Sequence, residues 1–220
     1  RYLKIDYEGQ RTKNNRGRVV NIGGPVGQGG SYAAIYSFKY GSGRTEVEDV
    51  LGRKDNYLCS QDSYLLAHHV YIAESKLLRM EKFSWDKGLL LCKASCKKNN
   101  KAAHLLKFTY DDLANIVSRT EYGSRNDNCG FVLDDDLSLL EPVTSYSISY
   151  TYSGDEFHLL LGETHDNGLE TVYEYIPGTN LIKAKLLKAA GEIYQREFYE
   201  YDEDNILIKK IEDDGFLKEK

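Results

Sequence analysis

The chain has 220 residues, with 29 basic and 34 acidic side chains and a formal net charge of −5. Its 41 % hydrophobic and 29 % charged residues are those of a folded globular protein, which excludes a disordered tail, collagen, a coiled coil and a disulfide scaffold. The mild acidity argues against nucleic acid as the main partner, because phosphate binding needs a net basic face, and no apolar run approaches the ~18 residues of a membrane helix.

Eighteen Tyr stand against only 3 Pro. Tyr suits pleated, half-buried surfaces, so this composition pushes toward β-structure. The chain begins at Arg1 rather than Met, from which we expect a fragment or a processed product. That leaves the presence of a signal peptide open.

The first predicted element is a strand over Arg18-Val-Val-Asn-Ile22. The Gly-rich run at 23–30 follows it. The run lacks the Gly-Lys-Ser/Thr of a phosphate loop, and no helix start follows, so it reads as a connector or wide turn. Residues 1–31 are therefore taken as an N-terminal strand plus connector, and 32–220 as a repeat array.

Within the array an aromatic-x-aromatic pair precedes a turn six times. Phe38 and Tyr40 precede Gly41-Ser-Gly43. Phe83 and Trp85 precede Asp86-Lys-Gly88. Phe108 and Tyr110 precede Asp111-Asp-Leu-Ala-Asn115. Tyr150 and Tyr152 precede Ser153-Gly-Asp155, Tyr173 and Tyr175 precede Ile176-Pro-Gly178, and Tyr199 and Tyr201 precede Asp202-Glu-Asp-Asn205. Apolar residues return after each turn, as in Ile116-Val-Ser-Arg119 and Ile206-Leu-Ile-Lys209. Each copy thus reads as strand, turn, strand: a β-hairpin. Second turns at Gly52, Asn167-Gly168, Gly191 and Gly215 close several units. Asn167-Gly168 is the strongest type I′ signal, since both residues tolerate positive φ.

Two stretches fit this period less well. Residues 56–78 carry apolar residues that suit either a helix or two strands; inside an array, strands are favoured. Residues 123–143, with three consecutive Asp at 134–136, read as a loop insertion.

Alternation along Tyr146-Ser-Ile148-Ser-Tyr150-Thr-Tyr152 puts the large side chains on one face and small hydroxyls on the other. The paired aromatics then form a core ladder, with at least one member of each pair largely buried. An aromatic platform for sugars is the alternative.

Segment 108–119 resembles the YD repeat of RHS (rearrangement hotspot) proteins, which runs roughly Tyr-x-Tyr-Asp-x-x-Gly-Arg/Asn-Leu. Ala114 takes the Gly place there, so that turn is expected to differ. Tyr199-Glu-Tyr201-Asp202-Glu-Asp-Asn205-Ile206 is similar with Asp204 in the Gly place. Ser84-Trp85-Asp86-Lys87-Gly88 carries Trp for Tyr, and Asp49-Val-Leu51-Gly52-Arg53 resembles a related subrepeat. The resemblance covers residues 32–215. It implies an all-β fold of consecutive antiparallel hairpins forming part of a spiralling, shell-like sheet. It also implies a secreted or cell-surface parent protein, in which such a shell encloses or presents a cargo or C-terminal toxin domain. The partners are then other repeats of that protein and the enclosed domain. A surface module binding glycans or proteins is the alternative.

No catalytic, cofactor or metal site is expected. Cys59, Cys92, Cys96 and Cys129 are irregularly spaced and read as unpaired thiols. Cys92 and Cys96 with His104 suggest a metal only weakly, because in a strand two residues four apart are ~13 Å apart. His68 and His69 would face opposite sides of a strand and have no nucleophile beside them. Asp111 and its equivalents are expected to cap turns through their own backbone.

Overall fold

The computed structural model describes residues 4–7, 18–26, 31–72, 76–123 and 130–214. The described residues contain sixteen strands and no helix: β1 (Lys4–Tyr7), β2 (Val19–Val26), β3 (Ser31–Gly41), β4 (Arg44–Asp49), β5 (Lys54–Cys59), β6 (Leu65–Ile72), β7 (Lys76–Asp86), β8 (Leu89–Cys96), β9 (Ala102–Tyr110), β10 (Ile116–Gly123), β11 (Ser145–Tyr152), β12 (Leu160–His165), β13 (Leu169–Tyr175), β14 (Ile182–Ala189), β15 (Glu192–Tyr201) and β16 (Leu207–Asp213). They follow one another in sequence order through one open sheet. Every strand pair whose register is defined is antiparallel, as in Tyr173↔Lys185 and Tyr199↔Lys210. Short turns make this order the natural one, because antiparallel neighbours need only a few residues between them.

By contacts the chain divides into two compact units. One comprises residues 1–105 and 123–143, the other 106–122 and 144–220. In the first unit Val70, Met80, Cys92, Ala94, Ala102, Leu105, Phe131 and Leu137 are buried. In the second, only Ala184 is a buried apolar side chain among the described residues.

The doubtful stretch at 56–78 is strand: its described residues supply the end of β5, all of β6 and the start of β7. The Gly-rich run is a correction. Gly23 and Gly24 belong to β2 and pair with Ala34 and Ala33, and pairing continues to Val26. Both glycines are buried. A Cβ on Gly24 would stand 2.7 Å from Ile35 Cδ1, so the missing side chain is what lets the strand close on its neighbour. Residues 27–30 lie outside the described ones.

The insertion at 123–143 is more than a loop. Ala102 and Phe131 exchange two backbone hydrogen bonds of 2.8 Å, and Leu133 bridges Leu139. Phe131 and Leu137 are each only 3 % exposed. The segment therefore adds two apolar anchors to the first unit.

The turns sort by loop length. Lys87-Gly88 and Ala190-Gly191 have positive φ at both positions, between directly paired residues Asp86↔Leu89 and Ala189↔Glu192. These are the type I′ hairpins. Asn167-Gly168 is not, contrary to expectation. Only Gly168 has positive φ, and its N–H bonds to the His165 carbonyl at 3.0 Å. Three residues lie in that loop, so a type I turn followed by one left-handed glycine matches the strand twist better. Gly43, Gly52 and Gly178 also have positive φ. Gly215 lies outside the described residues.

Candidate functional site

The feature that recurs in this molecule is a clasp between neighbouring strands. Its donor is the second aromatic of the predicted pair, at the end of an odd-numbered strand. Its acceptor is the backbone carbonyl of the first residue of the preceding even-numbered strand. Tyr40 Oη donates to the Val19 carbonyl at 2.7 Å, and Trp85 Nε1 donates to that of Leu65 at 2.7 Å. Tyr152, Tyr175 and Tyr201 donate to Ile116, Leu160 and Ile182 at 2.9, 2.8 and 3.0 Å.

A bulge accompanies the acceptor. Tyr7 and Asp6 pair with Val19 and Asn21, Cys59 and Leu58 with Leu65 and Ala67, Tyr152 and Thr151 with Leu160 and Gly162, and Tyr175 and Glu174 with Ile182 and Ala184. In each case one residue is skipped: Val20, Leu66, Leu161 and Lys183, the second of its strand. A skipped residue is left out of the ladder and bends the strand. The carbonyl just before it is the one that each aromatic reaches.

The first aromatic of the pair has its own partner. Lys93 lies over Phe83, Lys185 over Tyr173 and Lys210 over Tyr199, with the ammonium 5.7 to 6.0 Å from each ring centre. All three lysines are the direct cross-strand neighbours of those rings, within the range of cation–π attraction. The Tyr173 hydroxyl also donates to Glu163 at 2.9 Å. Burial and a hydrogen bond to Glu197 push the Tyr199 hydroxyl up to about 12.

None of the twelve anchor aromatics is fully buried. Phe38, Tyr40, Phe83, Trp85, Phe108, Tyr110, Tyr150, Tyr152, Tyr173, Tyr175, Tyr199 and Tyr201 are all half-buried. The rings lie over neighbouring strands, where half-covered aromatics are stabilised by cross-strand contact.

A five-residue turn supports several hairpins. In 111–115 the Asp111 N–H bonds to the Asn115 carbonyl, and the Ala114 N–H bonds back to that of Asp111. Asp111 Oδ1 accepts from the N–H groups of Leu113 and Asn115 at 2.9 and 2.8 Å. Asp202 does the same for Asp204 and Ile206, and Asp49 for Leu51 and Arg53. The residue three after the Asp carries positive φ each time: Ala114, Asn205 and Gly52. Ala114 therefore adopts the glycine conformation rather than altering the turn. Asn205, not Asp204, holds the glycine place. The Asp111 carboxyl is held below its ordinary range, first by the Asn115 side-chain hydrogen bond. Asp86 is different, because its turn has only two residues and offers no five-residue loop to bind across.

One polar cluster was not foreseen. His68 faces Asp55 through Nε2 at 2.8 Å and Glu81 through Nδ1 at 3.4 Å, and its ring stacks on Tyr57 with centres 4.5 Å apart. Glu81 is 5 % exposed and also binds Arg79 and Lys93. Burial acts to raise the Glu81 carboxyl, but hydrogen bonds from Arg79, Lys93 and His68 outweigh it and hold the group at about 2. With both ring nitrogens against carboxylates, His68 has none left for a substrate. His69 sits in the opposite row, beside Asn56 and Met80, and burial lowers its affinity for a proton. The signal in sequence is the cross-strand row Tyr57, His68 and Glu81, visible only once register is known.

Among the described residues no three His, Cys, Asp or Glu side chains come together as a metal site. Cys59, Cys92 and Cys96 form no disulfide among the described residues, and β8 holds Cys92 and Cys96 in extended chain. Residue 129 lies outside the described residues. A groove of about 730 Å³ opens at the β3–β4 and β5–β6 turns, lined by Arg18, Tyr40, Arg44, Ser60, Gln61 and Ser63.

No protein-family model and no curated protein matches the sequence. Solved structures do match in fold. The crystal structures of TcdB2-TccC3-TEV and TcdB2-TccC3-Cdc42 superpose with TM-scores of 0.65 and 0.64, at 16 % and 17 % identity, over 96 % of this chain. A Tc holotoxin pore from Photorhabdus luminescens gives 0.64 at 17 % identity. This chain has the RHS/YD-repeat fold. It spans 10 % of the length of those structures. In RHS/YD terms, the Tyr-x-Tyr pair supplies the clasp and the cation–π seat, while the Asp closes the turn.

Proposed function

We propose that this chain is a non-catalytic wall segment of an RHS/YD-repeat shell, within a larger exported toxin-complex protein, and that the shell encloses or presents a cargo or toxin domain. The observation that carries this reading is the clasp at five strand joints. It commits the aromatic residues, the unusual part of the composition, to holding one strand on the next. Such a device suits an array in which each repeat is stabilised by its neighbours. The fold likeness to the Tc holotoxin structures supports the toxin-complex setting.

The glycan-binding alternative has less support. The hydroxyls of Tyr40, Tyr152, Tyr175 and Tyr201 are already bonded to backbone carbonyls, so they are poorly placed to read a sugar. No helix of the described residues is long and apolar enough to cross a membrane.

The test uses the full-length parent protein. Limited proteolysis should spare the enclosed domain in the unaltered protein and cut it when Tyr175 and Tyr201 are both replaced by Ala. A domain already open to protease in the unaltered protein refutes enclosure.

A further inference from the structure

The turn between β3 and β4 is tied to the end of β5. The Cys59 N–H bonds to the Gly43 carbonyl at 2.7 Å, and a Cβ on Gly43 would stand 2.9 Å from the Cys59 carbonyl, so glycine is what allows this approach. The groove of about 730 Å³ that opens here is built on that fixed floor. Arg18 and Arg44 line it, and among the described residues no carboxylate does. In a chain of net charge −5 this is a local excess of the opposite sign.

Each arginine is held in a way that leaves it usable. Arg18 lies over the Tyr40 ring, 5.1 Å from its centre, and Tyr40 is itself fixed by its bond to the Val19 carbonyl. A guanidinium stacked on a ring keeps its N–H edge for an oxyanion. Arg44 Nη2 stands 3.3 Å from Glu46, but Lys39 approaches the same carboxylate at 3.5 Å, so Glu46 keeps a cation when Arg44 turns to a ligand.

The turn at the rim accounts for the missing negative charge. In turns 49–53, 111–115, 134–138 and 202–206 the first residue is Asp, and its Oδ1 accepts the N–H of the fifth. Turn 60–64 has the same backbone bonds and the same positive φ at its fourth residue, Ser63. Its first residue is Ser60, whose neutral Oγ accepts the Tyr64 N–H at 3.1 Å. A place held by a carboxylate in those four turns is thus neutral where two guanidinium groups share the groove.

We infer that this groove binds a doubly charged oxyanion of the phosphate type, free or carried as a phosphomonoester on a small polar molecule. Such a group bears about −1.5 to −2 charges at neutral pH, which matches two guanidinium groups. Their forked N–H edges pair with it bidentately. Ser60, Ser63 and Gln61 add hydrogen-bonding groups for a polar carrier, and the volume is that of a small-molecule site, roughly 300–1,000 Å³.

The full-length parent protein is titrated by calorimetry with inorganic phosphate, phosphoserine and acetate, at an ionic strength of about 0.15 M to screen loose surface attraction. Saturable binding of phosphate or phosphoserine is expected, weakened about tenfold or more by Arg18→Gln and by Arg44→Gln, the usual span for a hydrogen bond to a charged group. Both side chains are exposed, so the fold tolerates these changes. Ser60→Asp restores the carboxylate of the other turns and should abolish binding, with the unfolding midpoint unchanged or raised. Tighter binding of phosphoserine assigns a phosphomonoester, and equal binding assigns the free ion. Absence of saturable binding by both overturns the inference. So does acetate binding as tight as that of phosphate, or affinity retained in either arginine variant or in Ser60→Asp. Enclosure of a domain plays no part in this binding, so each can fail alone.

Discussion

In residues 1–105 and 123–143 the hairpins bury eight apolar side chains, while in 106–122 and 144–220 hairpins of the same design bury only Ala184 among the described residues. The strands themselves do not explain the difference, since both units carry the same anchor pairs and turns. Two things separate them. The first unit includes the 130–143 segment, which brings Phe131 and Leu137 to it. It also holds the Glu81 cluster, where a buried carboxylate is matched by Arg79, Lys93 and His68. The second unit relies on half-covered rings, hydroxyl-to-carbonyl clasps and lysines over aromatics. Hairpins of one design thus stand with a single buried apolar side chain in the second unit, while two of the eight in the first unit come from the added segment.

The sharpest way to break this comparison is to remove the added chain's anchor. Phe131→Ala should cost about 3–5 kcal/mol, the range for a large buried aromatic. Denaturant unfolding would measure it, and exchange should speed up in β7 and β8 while β13–β15 keep their protection. A loss below about 1 kcal/mol would show that the first unit does not depend on the insertion for its core.

The Glu81 cluster should come next. Glu81→Gln leaves Arg79 and Lys93 without their buried acceptor charge, and a loss of about 3 kcal/mol near neutral pH is expected. The carboxyl lies lower in the folded state, so its contribution is present above pH 4.5 and disappears as pH falls from 4.5 toward 2. Stability of the two proteins should therefore converge in acid. A gap that persists unchanged at pH 2.5 would mean that packing, not charge, holds the cluster.

In the second unit the clasp is the thing to sharpen. Tyr175→Phe removes one hydrogen bond to the Leu160 carbonyl and should cost about 1 kcal/mol. Tyr175→Ala removes a half-buried ring and should cost about 2 kcal/mol, less than full burial would give. Equal effects of both changes on stability would place all of the value in the hydroxyl. No effect of Tyr175→Phe would leave the clasp a geometric accident.

Much of this was legible in the amino-acid order. The pairs Phe83/Trp85, Tyr173/Tyr175 and Tyr199/Tyr201 marked strand ends because a period of two and a following turn are local signals. Asp111 and Asp202 marked turns for the same reason. Burial was not legible, since it depends on what lies over a face: Tyr110 and Tyr175 look like core residues in the amino-acid order, yet both are only half-buried. Gly23 and Gly24 misled, because glycine that permits close strand approach reads the same as glycine in a connector. The His68 row escaped because Asp55, Tyr57, His68 and Glu81 meet only across three strands whose register local patterns do not fix.

The smallest expected effect compares one turn in each unit. Ala114 and Gly52 hold the same place after Asp111 and Asp49, with φ of 67° and 76°. Left-handed backbone costs a residue with a Cβ roughly 1–2 kcal/mol, and glycine avoids that cost while adding freedom to the unfolded chain. Ala114→Gly should therefore raise stability by about 0.5–1 kcal/mol. Gly52→Ala should lower it by a similar amount, for conformation alone, because a Cβ at Gly52 would meet nothing within 4 Å. Opposite signs from two such small changes, read as midpoint shifts in parallel unfolding curves, would show that the two units share one turn despite their different interiors. If Ala114→Gly is destabilising instead, the Ala114 side chain makes a contact that outweighs its backbone strain, and the turns are alike only in outline.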